Sequence, residues 1–302
     1  LAAQLWMSIW AIVSFVSLIT YHRRGILLEE ITDLLMESPR WLVLTGAGIS
    51  SDSGIPTYRN KFGRWKRKQP VTHQEFVKNL SSRQRFWARN VVGWRFISQA
   101  KPNRAHYAIR DLQNKGAVIG LITQNVDGLH QLAGSKNVVD LHGRIDRVKC
   151  LSCGDSQSRS LLQSWLESHN PEFANQAGQI APDGDADADN LDFTRLSVPC
   201  CLKCEGILKP DVVFFGDSVP QKRLKAAKAM MDLASGLLVI GSSLMTYSGY
   251  RFCLWADDQN KPIALINEGE TRADHLATTK AWAPCAPVLQ NWLKRLLVRY
   301  KD

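Results

Sequence analysis

Short apolar runs, each closed by small or polar residues, alternate along this chain with stretches of helical spacing. Trp41 to Thr45, Val118 to Ile122, Val138 to Leu141, Val212 to Phe215, Leu237 to Ile240 and Ile263 to Ile266 read as buried strands. Between them the spacing predicts helices. Leucine or isoleucine at 27, 28, 31, 34 and 35 marks one from Gly25 to Ser38, and Asn103 opens another to Lys115 that Gly116 ends. Pro220 to Ala234, Tyr247 to Asp257 and Val288 to Tyr300 read as helices too, and Asp127 to Ala133 as a short helical turn. Such alternation predicts an α/β fold with a parallel sheet.

In an open α/β sheet, ligands gather at the carboxyl ends of strands. Polar and small residues stand at those ends here: Gln124, Asn125, Asp127 and His142, then Gly216-Asp217, Gly241-Ser242-Ser243 and Asn267-Glu268-Gly269. A single histidine after a strand is as readily structural as catalytic. Their convergence on strand ends makes this the candidate site.

The first strand empties into Thr45-Gly46-Ala47-Gly48-Ile49-Ser50 and then Ser51-Asp52-Ser53-Gly54-Ile55-Pro56, small residues where a backbone must approach a pyrophosphate closely. Ser51 stands where the third glycine of the dinucleotide fingerprint would be, so the glycines alone are a weak signal. Ser242, Ser243, Asn267 and Glu268 could hydrogen-bond an adenosine ribose, which strengthens the dinucleotide reading.

At 302 residues the chain can bury a full core, as one large domain or one with an inserted lobe. Its net charge of +10 has a local source: between Arg59 and Arg104 lie thirteen Lys or Arg residues and one acid, Glu75. Such a segment could steer acidic ligands or nucleic acid, but Trp65, Phe76, Phe86, Trp87 and Trp94 interleave it and fit the core of a small helical insertion. Residues 1–20 carry no charge and are long enough for a membrane span. An upstream extension or dispensable leader is the expectation for 1–24, ahead of a membrane anchor.

Of seven cysteines, Cys150 with Cys153 and Cys201 with Cys204 form two C-x-x-C pairs, a pattern for one structural zinc held by four thiolates in a reducing compartment. Cys200 is a competing donor outside the C-x-x-C spacing. Asp183, Asp185, Asp187 and Asp189 lack the glycine and the closing Glu of an EF-hand and read as a solvated acidic loop.

Taken in order, Gly46 to Ser50, Ser53-Gly54-Ile55-Pro56 with Tyr58-Arg59, Thr123-Gln124-Asn125-Val126-Asp127, Leu141-His142-Gly143, the paired C-x-x-C, Leu208 to Gly216, Gly241 to Leu244 and Asn267 to Gly269 resemble the sirtuin family. The wording of Asp211 to Asp217, Gln84 to Trp94 and Ala181 to Asp185 resembles its class II. The resemblance implies an NAD-dependent protein-lysine deacylase. The fold implied is a Rossmann-like domain (about 25–56, 105–143 and 208–302) with a smaller lobe of helical insertion (about 57–104) and zinc module (about 144–207). NAD and acylated lysine side chains of protein substrates would meet between them. Gly46 through Arg59 would cradle the cofactor phosphates and close over nicotinamide. Gln124, Asn125, Val126 and Asp127 would hold the nicotinamide ribose, with Asn125 also in the catalytic group. Gly241 to Ser243, Asn267 to Gly269 and the Cys285 backbone would take the adenosine end.

In the implied reaction the acyl oxygen attacks the ribose C1′ and expels nicotinamide. His142, with a pKa near neutrality, then deprotonates a ribose hydroxyl. Val213, Phe214, Phe215 and Gly216 would pair with the substrate peptide as an added strand. Asn60 to Trp65 does not reproduce the Tyr and Arg spacing of class III, so a succinyl preference is not implied. ADP-ribosyl transfer to protein is the alternative within the same site, and a zinc-bearing nucleic-acid module the alternative outside enzymes. No specific nucleic-acid partner is expected, and the expected compartment is the cytoplasm, with the mitochondrial matrix as alternative.

Overall fold

The structure, a computed structural model, describes residues 28–38, 40–66, 70–174 and 192–299. The leader at 1–24 and the acidic loop at 183–189 lie outside them. In chain order the elements are helix α1 (28–37), strand β1 (Trp41–Thr45), α2 (His73–Lys78), α3 (Leu80–Ile97), α4 (Arg104–Asn114), β2 (Val118–Thr123), α5 (Leu129–Leu132) and β3 (Val138–Asp140). Then come β4 (Gly143–Cys150), β5 (Ser156–Ser158), α6 (Arg159–His169), α7 (Pro171–Ala174), β6 (Leu208–Val212), α8 (Gln221–Leu233), β7 (Gly236–Ile240), α9 (Tyr247–Asp258), β8 (Ile263–Ile266), β9 (Thr279–Ala281) and α10 (Cys285–Arg299). Among the described residues no helix is long and apolar enough to cross a membrane.

Six strands form one sheet in the order β3-β2-β1-β7-β8-β9, every pair parallel. All five residues of β1 are buried, as a strand covered on both faces requires. Alternation then sorts its side chains. Trp41 and Val43 join Leu121, Leu238, Ile31, Ile109 and Trp292 on the face covered by α1, α4 and α10. Leu42 and Leu44 join Ile122, Val239, Leu265, Met231 and Phe252 on the face covered by α8 and α9.

After β1 the chain builds outward to β2 and β3, then returns to lay β7 against the other edge of β1. The loops leaving β1 and β7 therefore diverge from neighbouring strands, the crevice where open α/β sheets bind ligands.

The smaller lobe has its own three-stranded antiparallel sheet, β5-β4-β6. The strand expected at Val212 to Phe215 is instead Leu208–Val212, and it pairs with β4 in this small sheet rather than joining the parallel one. Phe76, Phe86 and Trp87 from α2 and α3 pack with Val148, Leu162, Leu166 and Leu208 in the core of this lobe, whereas Trp94 joins Ile97, Val126 and Ile145 in a separate cluster and Trp65 lines the cavity. Arg159, fully buried, fixes the helices: its Nε and Nη2 donate to Asn90 Oδ1 at 3.1 and 2.9 Å, with its guanidinium over Trp87 and Trp94.

Beneath the crevice two buried histidines face each other, His106 of α4 and His130 of α5, ring centroids 4.8 Å apart. His130 Nε2 lies 2.9 Å from Thr45 Oγ1 at the end of β1. Burial pushes the His106 pKa down to about 4, and burial with the neighbouring ring drives that of His130 well below its ordinary value. Both are neutral when folded, while the unfolded chain takes up protons near pH 6.5. Their contribution to stability is complete above pH 6.5 and is lost as pH falls toward 4, by up to about 1.4 kcal/mol per pH unit per histidine. Denaturant midpoints at pH 7 and pH 5 should fall accordingly; equal midpoints would contradict the assignment.

Candidate functional site

At the carboxyl ends of β1 and β7 lies a cavity of about 930 Å³ between the two lobes. Its floor is made by two loops in backbone contact. Gly46 N–H donates to Ile240 C=O (3.0 Å) and Gly48 N–H to Gly241 C=O (2.8 Å). A Cβ on Gly48 would meet Gly241 Cα at 2.8 Å, and one on Gly241, whose φ is +61°, would meet Ile49 N at 2.4 Å. The small residues are required because two backbones touch.

From β1 the chain makes a 3₁₀ turn, Ala47–Ser53, closed by Gly54 in the left-handed region. Asn103, the N-cap of α4, holds it from below through Ile49 C=O (2.8 Å) and Ser53 Oγ (3.0 Å). Gly46, Ala47, Gly48, Ser50, Ile55, Tyr58 and Arg59 reach the cavity wall. The remaining predicted residues of this stretch do not: Ile49 is buried in the core, Asp52 is exposed, and Ser53, Gly54 and Pro56 shape the turn behind the wall.

From β2 come Gln124, Asn125, Val126 and Asp127. Ser50 Oγ donates to Asp127 Oδ2 (2.8 Å) and accepts from Asn125 Nδ2 (3.0 Å), tying the two strand ends together. Asp127 Oδ1 accepts from Leu129 N–H (2.9 Å) and so also caps α5. Burial is the largest influence on its carboxyl and raises its pKa against these hydrogen bonds. Gln124 bridges across the crevice, accepting from Ser242 Oγ (2.6 Å) and donating to Thr246 Oγ1 (3.1 Å).

His142 follows β3. Its Nδ1 lies 2.9 Å from Gln124 C=O, which can only accept, so Nδ1 carries the hydrogen and Nε2 is the acceptor. Nε2 lies 2.7 Å from Ser248 Oγ. Burial pushes the His142 pKa down to about 4, with the Arg223 charge acting in the same direction and the Gln124 bond opposing it. The expectation of a pKa near neutrality is therefore corrected: the ring meets the cavity along one edge and is packed elsewhere, which disfavours the imidazolium.

Past the crevice, Val213 N–H donates to His142 C=O (2.8 Å) and places Val213 to Gly216 along the upper wall. Phe215 C=O accepts from His73 N–H (2.9 Å), so the edge carrying Val213 N–H and Phe215 C=O is already paired, and on the other edge Phe214 C=O accepts from Asp217 N–H (3.0 Å). Tyr58, Trp65 and Phe215 pack edge to face at 5.3 to 6.3 Å, and the Arg59 guanidinium lies 4.2 Å from the Trp65 ring centre. At the other end of the cavity are Gly241, Ser242, Ser243, Asn267, Glu268, Gly269 and Cys285. Burial pushes the Cys285 thiol up to about 12, so it stays protonated.

Cys150, Cys153, Cys201 and Cys204 bring four sulfurs within 4.8 Å of one another. The Cys150–Cys204 and Cys153–Cys201 distances are 3.6 and 3.7 Å, close to the edge of about 3.8 Å that a tetrahedron with Zn–S bonds of ~2.3 Å has. Cys200 is outside this set.

Ser51 and Thr57, inside the stretch Gly46 to Arg59, also line the cavity, as do Thr246 and Ser248, which are absent from the sequence reading. Ser248 was signalled only by its place in the first turn of the helix after Gly241-Ser242-Ser243.

A model of the Sir2 family matches residues 46–248. The chain is 50% identical over 262 residues to an NAD-dependent protein deacetylase of Bordetella bronchiseptica, covering 87% of this chain and 96% of that one. It is 47% identical over 261 residues to NAD-dependent protein deacetylase 2 of Bradyrhizobium diazoefficiens, covering 86% and 96%. Among solved structures it superposes on a Sir2 complex with a p53 peptide and NAD+ with a TM-score of 0.68 at 30% identity, covering 90% and 99%. A second, from work on the mechanism and regulation of Sir2 enzymes, gives 0.70 at 29%, covering 90% and 98%. Matched in sequence over two thirds of its length and in fold over nine tenths, this chain belongs to the Sir2 family.

Proposed function

We propose that this protein is an NAD-dependent deacetylase of lysine side chains in proteins. The observation that carries the reading is that a neutral histidine, its Nε2 an acceptor, lines the cavity between a glycine cradle and an aromatic wall. NAD fits the cradle: Gly46, Gly48 and Gly241 put no side chain at the end of the parallel sheet, so a pyrophosphate could approach the backbone closely there. NAD supplies the acceptor for the acyl group and the nicotinamide that departs.

The chain's residues then divide the work. Gly46 to Ser50, with Tyr58 and Arg59, hold the phosphates and cover nicotinamide; Gly241 to Ser243, Asn267 to Gly269 and Cys285 hold the adenosine end. Asn125 and Asp127, locked to each other through Ser50, present polar groups to the nicotinamide ribose, and Gln124 fixes the His142 ring through its carbonyl. Val213 to Gly216 meet the peptide, and the Tyr58, Trp65 and Phe215 rings keep water from the acyl-lysine. His142 takes a proton from a hydroxyl at Nε2. A base held neutral by burial is weak in water, but in this cleft it is already oriented and unprotonated at pH 7.

The four thiolates hold a structural zinc, since four sulfurs fill a tetrahedron and leave no position for water. None of the seven cysteines is in a disulfide, which suits a reducing cytoplasm.

His142→Ala should retain the fold by circular dichroism and lose NAD-dependent release of acetate from acetyl-lysine peptides by at least about 100-fold. Full activity in that variant would remove His142 as base. ADP-ribose label from NAD accumulating stoichiometrically on protein, with no deacetylated peptide, would replace deacetylation with ADP-ribosyl transfer. Cys204→Ala or chelation should release one zinc per chain and expose amides of β4, β5 and β6 to hydrogen exchange, because such sites contribute on the order of 10 kcal/mol to folding. Undiminished protection in the metal-free chain would contradict a structural role.

A further inference from the structure

The Nε2 nitrogen of His142 is not bare. Gln124 C=O accepts from Nδ1–H at 2.9 Å, so Nε2 holds a single in-plane lone pair, and Ser248 Oγ lies 2.7 Å from it. With Nε2 an acceptor, the hydroxyl must be the donor in the resting site. Ser248 sits in the first turn of α9 and lines the same cavity as His142. A substrate hydroxyl approaching His142 therefore meets a lone pair already engaged by the Ser248 hydrogen.

We propose that Ser248 is a second member of the acid–base unit, through which the proton of the reacting hydroxyl reaches His142. The inference rests on the deacetylase reading of the cavity. As the substrate O–H bond breaks, its proton passes to Ser248 Oγ while the hydrogen on Ser248 passes to His142 Nε2. Ser248 ends as a neutral hydroxyl, His142 as imidazolium, and the substrate oxygen keeps its electron pair for attack. The protonated ring then donates Nε2–H to Ser248 Oγ, so one hydroxyl serves both states of the histidine, as donor to the neutral ring and acceptor from the charged one. That matters in a packed site, where the imidazolium has little water to stabilise it. The return step runs the same way: the ring gives its proton to Ser248 as Ser248 passes one on, and the pair is restored.

α9 faces the ring with little charge of its own in this turn. Tyr247 lies beside Ser248, and Arg251, one turn on, has its guanidinium 4.9 Å from the Tyr247 ring centre. The charge acting on His142 comes from Arg223 of α8. Ser248 is thus the group placed to exchange a proton with Nε2.

The test compares the full chain with Ser248→Ala and Ser248→Thr. Ser248→Ala should lower kcat for acetyl-lysine peptide about 10- to 100-fold with KM for NAD and peptide within about twofold, and Ser248→Thr, which keeps the hydroxyl, should recover activity to within a few-fold. In the free protein, the ¹⁵N resonance of His142 Nε2 should move in Ser248→Ala toward that of an acceptor without a partner and stay in place in Ser248→Thr. Wild-type kcat in Ser248→Ala, equal loss in both variants, or an Nε2 resonance that ignores Ser248→Ala would each overturn the inference. Absence of deacetylation in the unsubstituted chain would sink the deacetylase reading instead, and the Nε2 resonance distinguishes that failure from this one.

Discussion

Two backbones in contact at the switch point of the sheet set the geometry of everything above them. The loops after β1 and β7 can meet at Gly48 and Gly241 only because neither carries a side chain there, and a Cβ on either would fall within about 3 Å of the other chain. The cost is conformational freedom in the unfolded chain, since glycine loses more on folding than any other residue. What offsets it is the parallel sheet itself: β1 and β7 are in register along their whole length and buried throughout, so the strands deliver the two loops to one place before any ligand arrives. The cradle is a property of the core.

The opposite wall has a different origin. The small lobe has a sheet of three short strands, and where β4 ends and β6 begins the four sulfurs and the aromatic core of α2 and α3 meet, with Cys150, Cys201, Val148 and Leu208 in one cluster with Phe76, Phe86 and Trp87. β4 begins at Gly143, immediately after His142, and β6 ends at Val212, whose neighbour Val213 donates back to His142 C=O. Loss of the sulfur cluster would therefore reach the histidine through the backbone alone.

Much of this was legible in the sequence because the parallel strands are continuous apolar runs ended by small residues; Ile263–Ile266 and Trp41–Thr45 have the bounds that periodicity predicts. β4 was not legible for a physical reason. Ile145 and Val148 are both buried yet three apart, because a register shift between Arg144 and Val148 breaks the alternation that marks a strand. β6 was misplaced because Val213 to Phe215 continues its apolar run beyond the last pairing with β4. In the site, sequence located the strand-end groups and the four thiols by spacing, but spacing could not tell Ile49, which packs into the core, from Ser50, which links Asn125 to Asp127. Ser248 is a hydroxyl 106 positions from its partner, and only the fold brings them together.

The histidine shows how fold and chemistry constrain each other. Its Nδ1 bond to a backbone carbonyl fixes the ring and its tautomer, and that same carbonyl favours the protonated form. Burial and the Arg223 charge oppose it and win, bringing the pKa to about 4. A base so depressed would gain little from proton transfer in water, where its conjugate acid is strong. In the cleft, the proton need only be held while an adjacent oxygen attacks, so a weakly held proton is also one readily returned. The requirement shifts from basicity to placement, and placement is what a carbonyl on one nitrogen and a hydroxyl on the other provide.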